Sequence, residues 1–91
     1  MKLRDGDQIP TRPTTITEIM GRATFALGVA DARAGRPFHR DFDLWRGDDQ
    51  WSYERGRAWA TVTPRNVPLK VNGKISAEAV AWFARHGDEI I

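Results

Sequence analysis

Apolar residues along the first third of the chain recur at Ile16, Ile19, Met20, Ala23, Leu27, Ala30 and Ala34, the three-and-four spacing of one helical face. Phe25, Val29 and Ala32 widen that stripe. Thr15 and Glu18 stand in capping-box spacing at its start, where each side chain satisfies an orphan backbone donor. Gly35 occupies the place of a left-handed cap, and Pro37 forbids continuation. The pattern predicts one helix over about 16–34. A second helical pattern begins near Asp48 or Asp49, either able to cap it, and carries Trp51, Ala58, Trp59 and Val62 before Thr63-Pro64 stops it. Asn72-Gly73, set between the short apolar runs around Val71 and Ile75, predicts a tight β-hairpin, because both residues tolerate positive φ. Ser76 is a good N-cap for a third helix, which buries Val80, Phe83 and Ala84 and ends at Gly87; Ile90-Ile91 then folds back as a plug. Residues 1–13, broken by Gly6, Pro10 and Pro13, read as a flexible tail ahead of a single small domain over 14–91.

The expected fold is mainly α: an antiparallel helical hairpin, a third C-terminal helix and a short β-hairpin. A pseudo-repeat sharpens it. Phe25-x-x-Gly28-x-x-x-Ala32 in the first helix matches Tyr53-x-x-Gly56-x-x-x-Ala60 in the second. A glycine inside a helix costs about 1 kcal/mol relative to alanine. Two such costs at matching places point to a close crossing, with Gly28, Ala32, Gly56 and Ala60 letting the backbones meet.

Composition narrows the function classes. The 91 residues leave room for one domain with a thin core, and four Trp, four Phe and one Tyr supply much of its apolar area. With no cysteine there is neither a disulfide nor a thiolate metal site, which favours the cytoplasm. The first residues lack the apolar run of a signal peptide, and no stretch approaches a membrane span, so no membrane partner is expected. Lys and Arg number 14 against 12 Asp and Glu, and eleven of the 14 are arginine. Two histidines, His39 and His86, stand apart, and Asp41-x-Asp43 lacks the later ligands of a calcium loop. There is no Gly-rich phosphate loop. No catalytic site, metal, cofactor or small-molecule substrate is expected.

The helix–connector–helix is similar to that of ribosome modulation factor and its short bacterial relatives. The residues that carry the likeness are Gly28, Ala32, Gly35 and Arg36, then Trp51 and Gly56. It spans about residues 25–60. The connector lacks the family's cysteine–proline segment, and Tyr53-Glu54-Arg55-Gly56-Arg57 replaces a Trp-Gly-Gly-Trp type of run. The resemblance implies binding to ribosomal RNA.

The binding surface admits two readings. Arg36, Arg40, Arg46, Arg55 and Arg57, interleaved with Phe38, Phe42 and Trp45, have the chemistry of an RNA surface: guanidinium forks for phosphates and rings for base stacking. Phosphate binding needs uncompensated charge, however, and Asp31, Asp41, Asp43, Asp48, Asp49 and Glu54 share the span. Alternatively, the same aromatics and arginines are residue types enriched at protein hot spots. The chain would then be a protein-binding regulator or inhibitor, comparable in size and style with phage-borne anti-CRISPR proteins, and a second copy of itself is one candidate partner. A helix–turn–helix reading fails because the connector is too long.

Overall fold

The computed structural model describes residues 15–91; the expected tail over 1–13 falls outside them. Five helices and one two-stranded ribbon succeed one another: α1 (Ile16–Met20), α2 (Ala23–Arg33), α3 (Gly47–Val62), β1 (Lys70–Val71), β2 (Lys74–Ile75), α4 (Ala77–Arg85) and α5 (Gly87–Ile90). A single 3-10 turn, Phe42–Leu44, lies in the connector between α2 and α3. The chain is mainly helical, and α2 and α3 pack as a helical hairpin.

The continuous helix expected over 16–34 is two helices. Thr15 and Glu18 form the capping box and start α1, but Gly21 caps its other end and Arg22 is extended (φ −73, ψ 144). Glycine is a weak helix former, so the chain turns there at little cost. The break re-phases the second helix. Ala23, Ala30 and Ala34 are exposed and Leu27 is half-buried, while Phe25, Gly28, Val29 and Asp31 form the buried side of α2. At the far end the expectation holds. Gly35 is left-handed (φ +72), its N–H donates to the Ala32 carbonyl, and the Arg36 N–H donates to that of Asp31. These are the two bonds of a Schellman motif, and Pro37 comes directly after it.

Arg46 is the N-cap of α3, with no side-chain cap bond; Asp48 and Asp49 sit in its first turn, where they favour the positive end of the dipole. The crossing falls at the paired glycines. A Cβ on Gly28 would collide with the Tyr53 carbonyl oxygen, and one on Gly56 with the Phe25 carbonyl oxygen. The contact is reciprocal: each glycine lies on the carbonyl of the aromatic residue three positions before the other. Ala32 and Ala60 flank it, both half-buried. Arg22 reaches Asp48 and Asp49 at the start of α3 (both 3.4 Å), and Arg33 reaches the Pro64 and Val67 carbonyls beyond its end (3.3 and 2.8 Å). The two arms therefore cross at the glycines, with like ends tied by side chains.

The ribbon is antiparallel, Lys70 opposite Ile75 and Val71 opposite Lys74. Its turn uses Asn72 (φ 55) and Gly73 (φ 79), as their chemistry predicts. Ser76 caps α4 by accepting from the Ala79 N–H (3.0 Å) and donates to the Pro68 carbonyl (2.8 Å), which ties the ribbon to the helix. Gly87 does not end the chain's helices; it opens α5, and Ala84 is exposed rather than buried. Of the terminal pair, Ile90 is buried and Ile91 is exposed. The core gathers Ile19, Met20, Phe25, Val29, Trp59, Val67, Ala79, Phe83 and Ile90. Trp59 is its centre: its indole N–H donates to the Ala79 carbonyl (3.1 Å), and its ring lies 6.4 Å from that of Phe25.

Candidate recognition surface

The connector, residues 34–46, carries most of the residues that the sequence nominates for binding. It has almost no regular structure, so its shape depends on what it packs against. Tyr53, fully buried on α3, is that anchor. Its ring contacts Phe38, Phe42 and Trp45 at centroid distances of 5.5, 5.7 and 5.2 Å, with Trp45 and Phe38 edge-on. Edge-to-face pairs of this kind add about 0.5–1.5 kcal/mol each beyond area burial.

The Tyr53 hydroxyl is a hub. It donates to Asp31 Oδ2 (2.6 Å) and accepts from the His39 N–H (2.9 Å) and from Arg57 Nη1 (3.2 Å). Asp31, on α2, is 4 % exposed, and its other oxygen accepts from Arg36 Nη1 (3.0 Å). The Tyr53 hydrogen bond, assisted by Arg36 and opposed by burial, holds the Asp31 carboxyl below its ordinary range. Burial and the same hydrogen bond push the Tyr53 phenol above its own. Arg57, half-buried, lies against the connector. It donates to the Arg36 and Pro37 carbonyls (2.8 and 3.3 Å) and lies 4.8 Å from the centre of the Phe38 ring. Gln50 donates to the Phe42 carbonyl (2.8 Å). The connector is thus fixed from both helices.

The nominated residues divide accordingly. Phe42 and Trp45 are half-buried against Tyr53, whereas Phe38 is 50 % exposed. Leu44, not singled out by the sequence, is 82 % exposed. Arg57 is a structural brace. Arg55 packs on Trp51 (5.1 Å) and pairs with Glu54 (3.4 Å), and burial lowers its pKa. Arg46 lies 3.5 Å from Asp48 and Arg36 pairs with Asp31, both with guanidinium surface left in water. Arg40 is exposed and makes no ion pair among the described residues. A shallow depression of about 270 Å³ is lined by Asp31, Arg36, Pro37, Phe38, His39 and Arg40.

Sequence reasoning missed the roles of Asp31 and Tyr53. Asp31 carried a signal, since a carboxylate on the side of α2 that bears Gly28 needs buried partners. Tyr53 enters the sequence pattern only through the repeat. Among the described residues no cluster of His, Asp and Glu could hold a metal ion, and no helix is long and apolar enough to cross a membrane. Compared with family models, curated proteins and solved structures, the chain matches none.

Proposed function

We propose that this chain is a non-enzymatic interaction module of the cytoplasm, and that its α2–α3 connector is a surface for a protein partner. The observation that supports this most directly is the exposure of Phe38 (50 %) and Leu44 (82 %) on a segment otherwise fastened by Tyr53, Arg57 and Gln50. Exposed apolar side chains on an ordered backbone lose little entropy on docking, which is the advantage of preorganisation. A regulator or inhibitor of the phage type is one form such a module takes. A photo-crosslinking residue in place of Leu44 tests the reading in cells. The expected result is one discrete protein adduct that survives nuclease and is lost, by more than about tenfold, when Phe38→Ala is added. An adduct to RNA, or one that nuclease abolishes, contradicts it.

A second reading is contact with ribosomal RNA. It is favoured by the exposed guanidinium surface of Arg36, Arg40 and Arg46 along the same connector. It is also favoured by the crossing of Gly28 and Gly56, two residues that carry the resemblance to ribosome modulation factor. Against it stands the pairing of Arg36, Arg46 and Arg55 with acids. Under this reading ribosome binding weakens steeply with salt, and each arginine-to-alanine change flattens the slope. Salt-independent binding excludes it.

A further inference from the structure

The shallow depression beside the connector is one-sided in its chemistry. Asp31, Arg36, Pro37, Phe38, His39 and Arg40 line it. Pro37 and the half-exposed Phe38 supply its apolar part. The polar lining is almost entirely made of donors. Arg36 spends Nη1 on Asp31, yet its side chain is 61 % exposed. Arg40 is exposed and makes no ion pair among the described residues. His39 accepts the Asp41 N–H at Nδ1 (3.1 Å), so Nε2 is the protonated, donating nitrogen of its neutral ring. The one carboxylate in the lining, Asp31, is buried, and each of its oxygens already accepts a bond, from the Tyr53 hydroxyl and from Arg36.

Two guanidinium groups against one carboxylate leave a single positive charge in this lining. The backbone that carries it is held in place. Arg57 donates to the Arg36 and Pro37 carbonyls, and the His39 N–H donates to the Tyr53 hydroxyl. Asp41 and Asp43, the next acids along the chain, do not line the depression, and neither makes an ion pair among the described residues. The depression thus joins an apolar side to an excess of fixed donors, with its only acid already occupied.

We propose that this depression receives an acidic side chain of the partner protein, its carboxylate bound by Arg36 and Arg40 and an adjoining apolar residue laid against Phe38. This rests on the reading of the connector as a protein-binding surface, and it gives that partner its chemistry. Charge complementarity selects the occupant. One carboxylate matches the one surplus positive charge, and guanidinium groups bind carboxylates through charge-assisted hydrogen bonds. A phosphorylated side chain, with a charge near −2, overshoots that surplus and sits beside the Asp31 carboxylate. A nucleic-acid strand carries a charge on every phosphate, and its neighbouring phosphates would meet the exposed Asp41 and Asp43 along the same connector. A lone acidic side chain in an apolar sequence brings neither conflict.

Chemical-shift mapping on the isotope-labelled full chain tests this, with a capped tetrapeptide of alanine, phenylalanine, glutamate and alanine whose only charge is the glutamate. Binding is expected to be weak but saturable, with the largest shifts at the amides of residues 36–40. Glutamine in place of the peptide's glutamate should weaken it by about tenfold. Arg40→Gln should weaken it by at least about threefold, as an exposed ion pair allows, and Arg40→Lys should restore part of the loss. Arg46→Gln, outside the depression, should leave it unchanged. An unaltered melting curve for Arg40→Gln separates lost binding from lost folding. Four results overturn the proposal: no saturable shift, shifts centred away from residues 36–40, a glutamine peptide bound as tightly as the glutamate one, or a short uridine oligonucleotide bound more tightly than either. If the peptide fails while the Leu44 crosslink still captures one protein, only this proposal falls. If Leu44 crosslinks to RNA, the connector reading falls with it.

Discussion

Gly28→Ala and Gly56→Ala are each expected to destabilise the domain by roughly 3 kcal/mol, the upper end of the overpacking range. Alanine is intrinsically the better helix former by about 1 kcal/mol, so propensity alone predicts the opposite sign. Packing wins because the added methyl has nowhere to go. At Gly28 it meets the Tyr53 carbonyl and the Arg57 N–H; at Gly56 it meets the Phe25 carbonyl. These are backbone atoms inside helices, and they cannot swing aside as a side chain would. In a domain of this size the loss corresponds to a fall in Tm of about 12–24 °C. Gly87→Ala is the control, because its Cβ enters open space, and its effect should stay within about 1 kcal/mol. Thermal melts of the three variants, monitored by circular dichroism, check the prediction.

Tyr53→Phe is expected to cost about 2–4 kcal/mol, although the ring and its contacts survive. The hydroxyl serves three groups at once, and its loss leaves the buried Asp31 carboxylate with Arg36 alone. It should also free the connector. The His39 N–H, which donates to that hydroxyl, should exchange with solvent much faster in the variant, while amides within α3 keep their protection. The two shifts set the pH profile. Asp31 has a folded pKa below its ordinary 3.8, so its contribution is present above that value and is lost as pH falls through the folded one. Tyr53 has a folded pKa above its ordinary 10.0, so its contribution is present below that value and is lost as pH rises through the folded one. Tyr53→Phe should remove the tyrosine's part of the alkaline loss and shrink the acid one. Denaturant melts across pH check both limbs; an unchanged alkaline limb contradicts the assignment.

The local chemistry of the chain was largely readable, because each feature is decided within a few residues. The Thr15–Glu18 box, the Gly35 cap, the Asn72-Gly73 turn and the Ser76 cap all stand where their side chains require. The crossing was readable for a different reason: two glycines inside helices carry a cost that only close contact compensates. The break at Gly21 was not, since the apolar spacing runs through it and nothing local distinguishes a tolerated glycine from a terminal one. Missing that break put Ala23, Ala30 and Ala34 on the wrong face.

The recognition surface was half legible. Composition located the connector, but burial assigned its residues. Whether an arginine faces solvent or braces a carbonyl depends on partners some 20 residues away, as with Arg57 and the Arg36 and Pro37 carbonyls. Leu44 was invisible because its exposure comes from the 3-10 turn that holds it, not from its type.

The backbone contact between α2 and α3 carries the rest, since it sets Tyr53 against Asp31 and so positions the connector. Nuclear Overhauser contacts in solution measure it directly. Strong cross-peaks are expected between the Gly28 Hα protons and the Arg57 N–H, whose nitrogen lies 3.0 Å from the position a Gly28 Cβ would take. If that cross-peak is absent while the amides of both helices are protected, the helices form without meeting at their glycines, and the connector has no such base.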